Sequence, residues 1–187
     1  MTALLIAALL GAPRPPRARP AAPPADQQQA QLSDDEVREK AQAYLGAIDR
    51  SATAAQWKAL GPRAAQVLEP IASDPQALPS KRAMAVDGLA AAAPDRAAAL
   101  AGKLARDEKQ PLVVRVAAVH AAGEALPPQS AVEELKPVLQ GRHAGLRGVA
   151  AEVLSRHGGC SAVREQAARE KAARPAAWQR ALSRCGD

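Results

Sequence analysis

Arg82-Ala-Met-Ala85-Val-Asp-Gly-Leu89 returns as Arg115-Val-Ala-Ala118-Val-His-Ala-Ala122 and again as Arg147-Gly-Val-Ala150-Ala-Glu-Val-Leu154. The arginines stand 33 and 32 residues apart. Self-similarity at that period is the signature of a solenoid built from helix pairs. Counting from the arginine, small or apolar residues occupy −1, +2, +3, +6 and +7 in the last copy: Leu146, Val149, Ala150, Val153 and Leu154. The middle copy has Val114, Ala117, Ala118, Ala121 and Ala122, and the first departs from the pattern only at Lys81. This spacing marks one buried stripe on a helix. Position +5 holds Asp87, His120 and Glu152, which places all three toward solvent and makes His120 a surface residue.

Outward from the repeats, helix signals fill residues 33–187. Ser33 with Glu36 is a capping box that opens a helix running to about Ile48. A short helix follows over 53–60, capped by Ser51. Gly61-Pro62 stops it and starts the next, to about Ala72. The repeats then supply helices at 79–92 with 95–106, at 111–124 with 131–140, and at 143–156 with 161–173. Ser130 with Glu133 reads as a second capping box, and a last helix ends near Arg184. Pro70 and Pro137 fall inside helices and should kink or shorten them.

The composition suits such a stack. Apolar residues make up 48% of the 187, but there is no Phe, one Tyr and two Trp, and alanine dominates. Alanine costs least in a helix and buries little area, so stability must come from stacking many helices. Trp57 and Trp178 read as core anchors near the two ends of the stack.

The segment before Ser33 is of another kind. Residues 1–12 include an apolar run, Ala3 to Ala12. It is too short to span a bilayer, which takes about 20 residues, and of the right length for the apolar part of a secretory signal. Residues 13–32 hold six prolines among Ala, Arg and Gln, the composition of an extended tether. The reading is a signal peptide, a tether, and one folded domain over 33–187, exported to a periplasmic or extracellular space. The chain would be cytoplasmic if the apolar run is not a signal.

Cys160 and Cys185 are the only cysteines. An even count in an exported chain favours a disulfide. An antiparallel pair of helices between them would return Cys185 to Cys160 and fasten the end of the stack. Two free thiols are the rival. A metal site is weaker still, because His157 and Cys160 find no further ligands at standard spacing.

These residues resemble HEAT repeats, particularly the short bacterial type first noted in phycobilisome lyases. The resemblance covers roughly residues 50–173. It implies an all-α fold: an α-solenoid of stacked antiparallel helix pairs with capping helices at both ends. In that family an Asp after the preceding helix often pairs with the repeat Arg. Asp74 stands eight residues before Arg82 and Asp107 eight before Arg115, while Arg147 lacks its Asp. The resemblance thus implies a structural ladder of these five residues rather than a basic row made for phosphate. Ankyrin repeats would show Thr-Pro-Leu-His, which is absent. The tetratricopeptide-like Trp57-Lys-Ala-Leu60-Gly61 occurs once and is broken by Pro62.

No catalytic constellation emerges. The three histidines fall in different repeats, no Gly-rich phosphate loop is present, and no serine has the setting of a nucleophile elbow. The expectation is a non-enzymatic protein-binding scaffold with no cofactor or metal. Its second helices would line the partner-facing side through Arg63, Gln66, Glu69, Lys103, Glu134, Lys136 and Arg164. Two alternatives remain. The net charge of +6, with nine basic against four acidic side chains from residue 141 onward, permits nucleic-acid binding. A bilin lyase or chaperone role follows from fold analogy alone.

Overall fold

A computed structural model describes residues 32–47, 51–170 and 176–186. Among them are ten α-helices and no strand. The signal peptide and the tether lie outside the described residues, apart from Leu32.

α1 (Asp34–Gly46) opens on the capping box expected at Ser33 and Glu36. Leu32 sits just before the cap and packs against the core, so the fold begins one residue earlier than the tether reading allows. α2 (Ala54–Leu60) is capped by Thr53, not by Ser51. Thr53 Oγ1 accepts from Gln56 N–H and Gln56 reaches back to the Thr53 N–H. A full capping box outcompetes a lone serine two residues upstream. Gly61 then takes φ +70°, which glycine adopts without steric cost, and a 3₁₀ turn (Pro62–Ala64) leads into α3 (Ala65–Ser73).

α4 (Pro79–Ala92) and α5 (Pro94–Arg106) form the first repeat pair, α6 (Leu112–Ala125) and α7 (Pro128–Leu139) the second. α7 starts at a proline, whose fixed φ suits a first helical position. Ser130 therefore lies inside the helix, and the capping box expected there with Glu133 does not form. α8 (Ala144–Arg156) and α9 (Cys160–Arg169) complete the third pair, and α10 (Ala176–Cys185) follows. α9 stops at the Glu170 cap, short of the expected Ala173.

The even-numbered helices touch in order, α2 to α4 to α6 to α8 to α10. The odd-numbered helices pack against them, most closely α3 on α4, α5 on α6 and α7 on α8. Each of α4, α6 and α8 therefore has neighbours on three sides. This explains why position +4 (Val86, Val119, Ala151) is buried as well as the stripe read from sequence. Of the 40 buried apolar residues among those described, 21 are alanine, so the helices can approach closely. At Gly123 a Cβ would come within 2.5 Å of Val153 Cγ1, so α6 and α8 meet with no room for a side chain. Trp57 and Trp178 are both buried. Trp57 meets Tyr44 edge to face at 5.1 Å between ring centroids, whereas the Trp178 indole N–H finds no acceptor.

Candidate docking surfaces

The repeat arginines do structural work. Arg82 is 3% exposed. Its Nε donates to the Ala72 carbonyl at 3.2 Å and a terminal nitrogen donates to Gln110 Oε1 at 2.6 Å. Arg115 Nε donates to the Ala105 carbonyl at 3.0 Å, the same ten-residue reach. Both thus cap the last turn of the preceding odd helix, where free carbonyls and the negative end of the dipole favour a cation. Arg147 donates instead to the Gly141 and Arg142 carbonyls and grips Glu170 with two nitrogens.

The aspartates take a different place from the ladder the resemblance implies. Asp74 accepts from the Gln76 N–H at 2.8 Å and Asp107 from the Lys109 N–H at 3.0 Å, each closing a turn. Neither forms an ion pair with its arginine among the described residues. Asp107 also accepts from the Gln110 amide at 2.7 Å. That bond, then the Lys109 N–H and the nearby Lys109 and Arg115 charges, holds its carboxyl below the usual range. Arg82, Gln110 and Asp107 are therefore linked in series.

Three of the seven residues expected to face a partner gather at one place. Arg63, Gln66 and Glu69 line a cleft of about 460 Å³ between α3 and the start of α5. Its other wall is Ala93, Pro94, Asp95 and Arg96, and a groove continues along α3 past Pro70 to Ser73. An Arg96–Glu69 ion pair crosses it. Arg63 is held by Asp34 at 2.8 Å and by the Leu32 carbonyl. Gln66 and Asp95 make no side-chain hydrogen bond within the described residues, so both can serve a ligand. In the sequence the α5 wall is marked only by Pro94-Asp95-Arg96 opening a helix.

The remaining four do not join that cleft. Lys103 and Lys136 are exposed on α5 and α7. Glu134 pairs with Arg106 across those two helices. Arg164 donates to the Cys185 carbonyl at 2.7 Å, beside the Cys160–Cys185 disulfide, whose Cα atoms are 5.4 Å apart.

The outer face of the even-numbered helices carries a second polar surface. Asp87, His120 and Glu152 line it, as their shared repeat position requires, together with Glu124, Arg156 and His157. Asp87 is exposed by surface area, yet it sits in a pocket with Trp57 and Met84. Loss of hydration there, then the charge of Glu124, raises its carboxyl to about 6. His120 is pushed below its ordinary value by desolvation and by Arg156. Glu152 is lowered, first by its 2.9 Å bond from Arg180 and then by the charges of Arg180, Arg156 and Arg184.

Comparison of the chain with family models, curated proteins and solved structures finds no match. Among the described residues, no group of three or more His, Cys, Asp or Glu side chains could hold a metal ion. Nor is any helix there long and apolar enough to cross a membrane.

Proposed function

We propose that this chain is a non-enzymatic protein-docking module: a HEAT-like α-solenoid, exported to an oxidising compartment, whose odd-numbered helices receive a protein partner. The observation that carries this reading is the cleft between α3 and α5. Its apolar walls (Pro62, Ala65, Ala93, Pro94) frame two unengaged polar groups, Gln66 and Asp95. Amide and carboxylate groups so placed suit the N–H and C=O groups of an extended segment. The order of helix contacts supports a solenoid. In that arrangement α1 and α10 are the caps. The Cys160–Cys185 disulfide supports export, because such bonds persist in oxidising compartments.

Nucleic-acid binding gains less support. Arg147, Arg164, Arg169 and Arg180 are each engaged within the chain, which leaves the basic end fewer free cations than its composition implies.

The test is capture from envelope and cytosolic extracts by the full chain at about 0.15 M salt, where exposed charges are screened beyond about 8 Å. Half of each sample is treated with nuclease, and a Gln66→Trp variant that fills the cleft runs alongside. A discrete protein that survives nuclease and is lost with Gln66→Trp is the expected result. Nucleic acid recovered with protein bands that vanish after nuclease overturns the reading. A partner retained by Gln66→Trp moves the site off this cleft.

A further inference from the structure

The solvent face of the even-numbered helices has a charge order of its own. At one level of the stack stand Asp87 on α4, His120 on α6, Glu152 on α8 and Arg180 on α10. One helical turn further on stand Ala91, Glu124, Arg156 and Arg184. Both series share the spacings 33, 32 and 28. Asp87 and Ala91 share a pocket with Glu124, His120 and Glu124 share one with Glu152 and Arg156, and the Glu152–Arg180 ion pair carries the alignment on to α10. The face therefore runs from acidic at α4 to basic at α10. Asp87, Glu124, Arg156 and Arg184 are exposed, and none forms an ion pair among the described residues. Two unpaired acids at one end balance two unpaired arginines at the other.

We propose that this face is the interface of a two-fold dimer of this chain. A two-fold axis parallel to the helices, between α6 and α8, lays α4 on α10 of the second copy and α6 on α8. Asp87 then meets Arg180 of the second copy, Glu124 meets Arg156, and His120 meets Glu152. Ala91, the small member of its series, leaves room for Arg184. Such self-complementarity is what an isologous interface requires. Stacking in the same order instead sets Asp87 on Asp87 and Arg184 on Arg184, which like-charge repulsion forbids. Four helices about 10 Å apart present a face about 30 Å wide, the scale of a patch that buries about 800 Å² per partner. The raised Asp87 carboxyl fits this reading: the isolated chain holds a carboxylate in a pocket without a cation.

Sedimentation of the full chain at about 0.05 M and about 0.5 M salt, where the screening length shortens severalfold, tests the dimer. The expected result is a reversible dimer that weakens with salt. Glu124→Arg and Arg156→Glu each place like charges together and should weaken it about a hundredfold. Mixed one to one, the two variants should associate, because each supplies the charge the other lacks. The double variant should regain self-association. Melting curves establish that each variant is folded, and the wild-type salt series stands without any variant. A wild type that is monomeric at low salt overturns the proposal. So does a dimer that neither reversal weakens, or a mixture that stays monomeric.

Discussion

The first and third repeats share a backbone pattern and fasten it in opposite ways. In the first, Arg82 is buried against neutral partners, the Ala72 carbonyl and Gln110. In the third, Arg147 grips a carboxylate, Glu170, with both side chains largely out of solvent. At position +5 the first repeat has Asp87 without a cation, and the third has Glu152 paired with Arg180. Beside the first pair, a cleft separates α3 from α5. Beside the third, a disulfide ties α9 to α10. A shared helix pattern thus yields one end that is open and electrostatically unsatisfied and one that is locked. In the proposed solenoid, stability is a sum of near-neighbour terms, so the two ends can be tuned separately, and the open end carries the proposed docking cleft.

The sharpest way to break this contrast is to remove the lock. The Cys160–Cys185 bridge closes a loop of 25 residues, and replacing both cysteines with serine should cost about 3 kcal/mol. Hydrogen exchange should then show amides of α9 and α10 losing protection while those of α3 to α5 keep theirs. Uniform loss along the chain would mean that the two ends are one cooperative unit.

The next largest effect should come from Arg82→Met. Methionine keeps much of the side-chain volume but leaves the Ala72 carbonyl and Gln110 without their charged donor. Hydrogen bonds to charged groups contribute about 1.5–3 kcal/mol, and a loss near the middle of that range is expected from denaturant unfolding. Arg115 is more exposed, and its one carbonyl bond among the described residues makes Arg115→Met the milder change. Equal losses at both positions would show that the arginine contributes by packing rather than by capping α3.

The sequence carried much of this architecture in plain view. Recurrence at 33 and 32 residues placed α4 to the residue, and α6 and α8 to within one at each end. The two cysteines favoured the bridge that the fold forms, with free thiols as the rival. Capping was harder to read, because several candidates compete locally. Thr53 beat Ser51 by having Gln56 three residues on, and Pro128 began α7 before Ser130 could cap it. The buried +4 position was hidden because a stripe analysis assumes one buried face, whereas α4, α6 and α8 have three neighbours. The candidate cleft was half legible. Gln66 and Glu69 follow from the period of α3 and Arg63 from the turn that leads into it, but the wall from α5 depends on how far apart the two helices stand, which no local pattern encodes. The charge order on the even face was obscured by its last member. α10 joins at a spacing of 28, so Arg180 and Arg184 do not look like repeat residues until the fold aligns them.

The smallest effect is the most discriminating, because it should have opposite signs at the two ends. Asp87 has its carboxyl raised to about 6 in the fold, above an unfolded value of about 3.9. Its contribution to stability is therefore fully present below the unfolded value and is lost as pH rises through about 6. Asp87→Asn removes that loss, so it should stabilise dilute protein at pH 8 and have little effect at pH 4. Because solvent reaches this side chain, the gain should stay below about 1 kcal/mol. Glu152 is lowered instead, so its contribution is present above the ordinary carboxylate value and is lost as pH falls through the folded one. Glu152→Gln should therefore destabilise at pH 8 and become neutral in acid. Melting temperatures of both variants across pH 3–8 decide the matter. Curves that diverge from wild type in opposite directions above pH 6 establish two electrostatic regimes within one repeat pattern. Curves of the same sign would mean that position +5 is governed by its helix alone, whatever its neighbours carry.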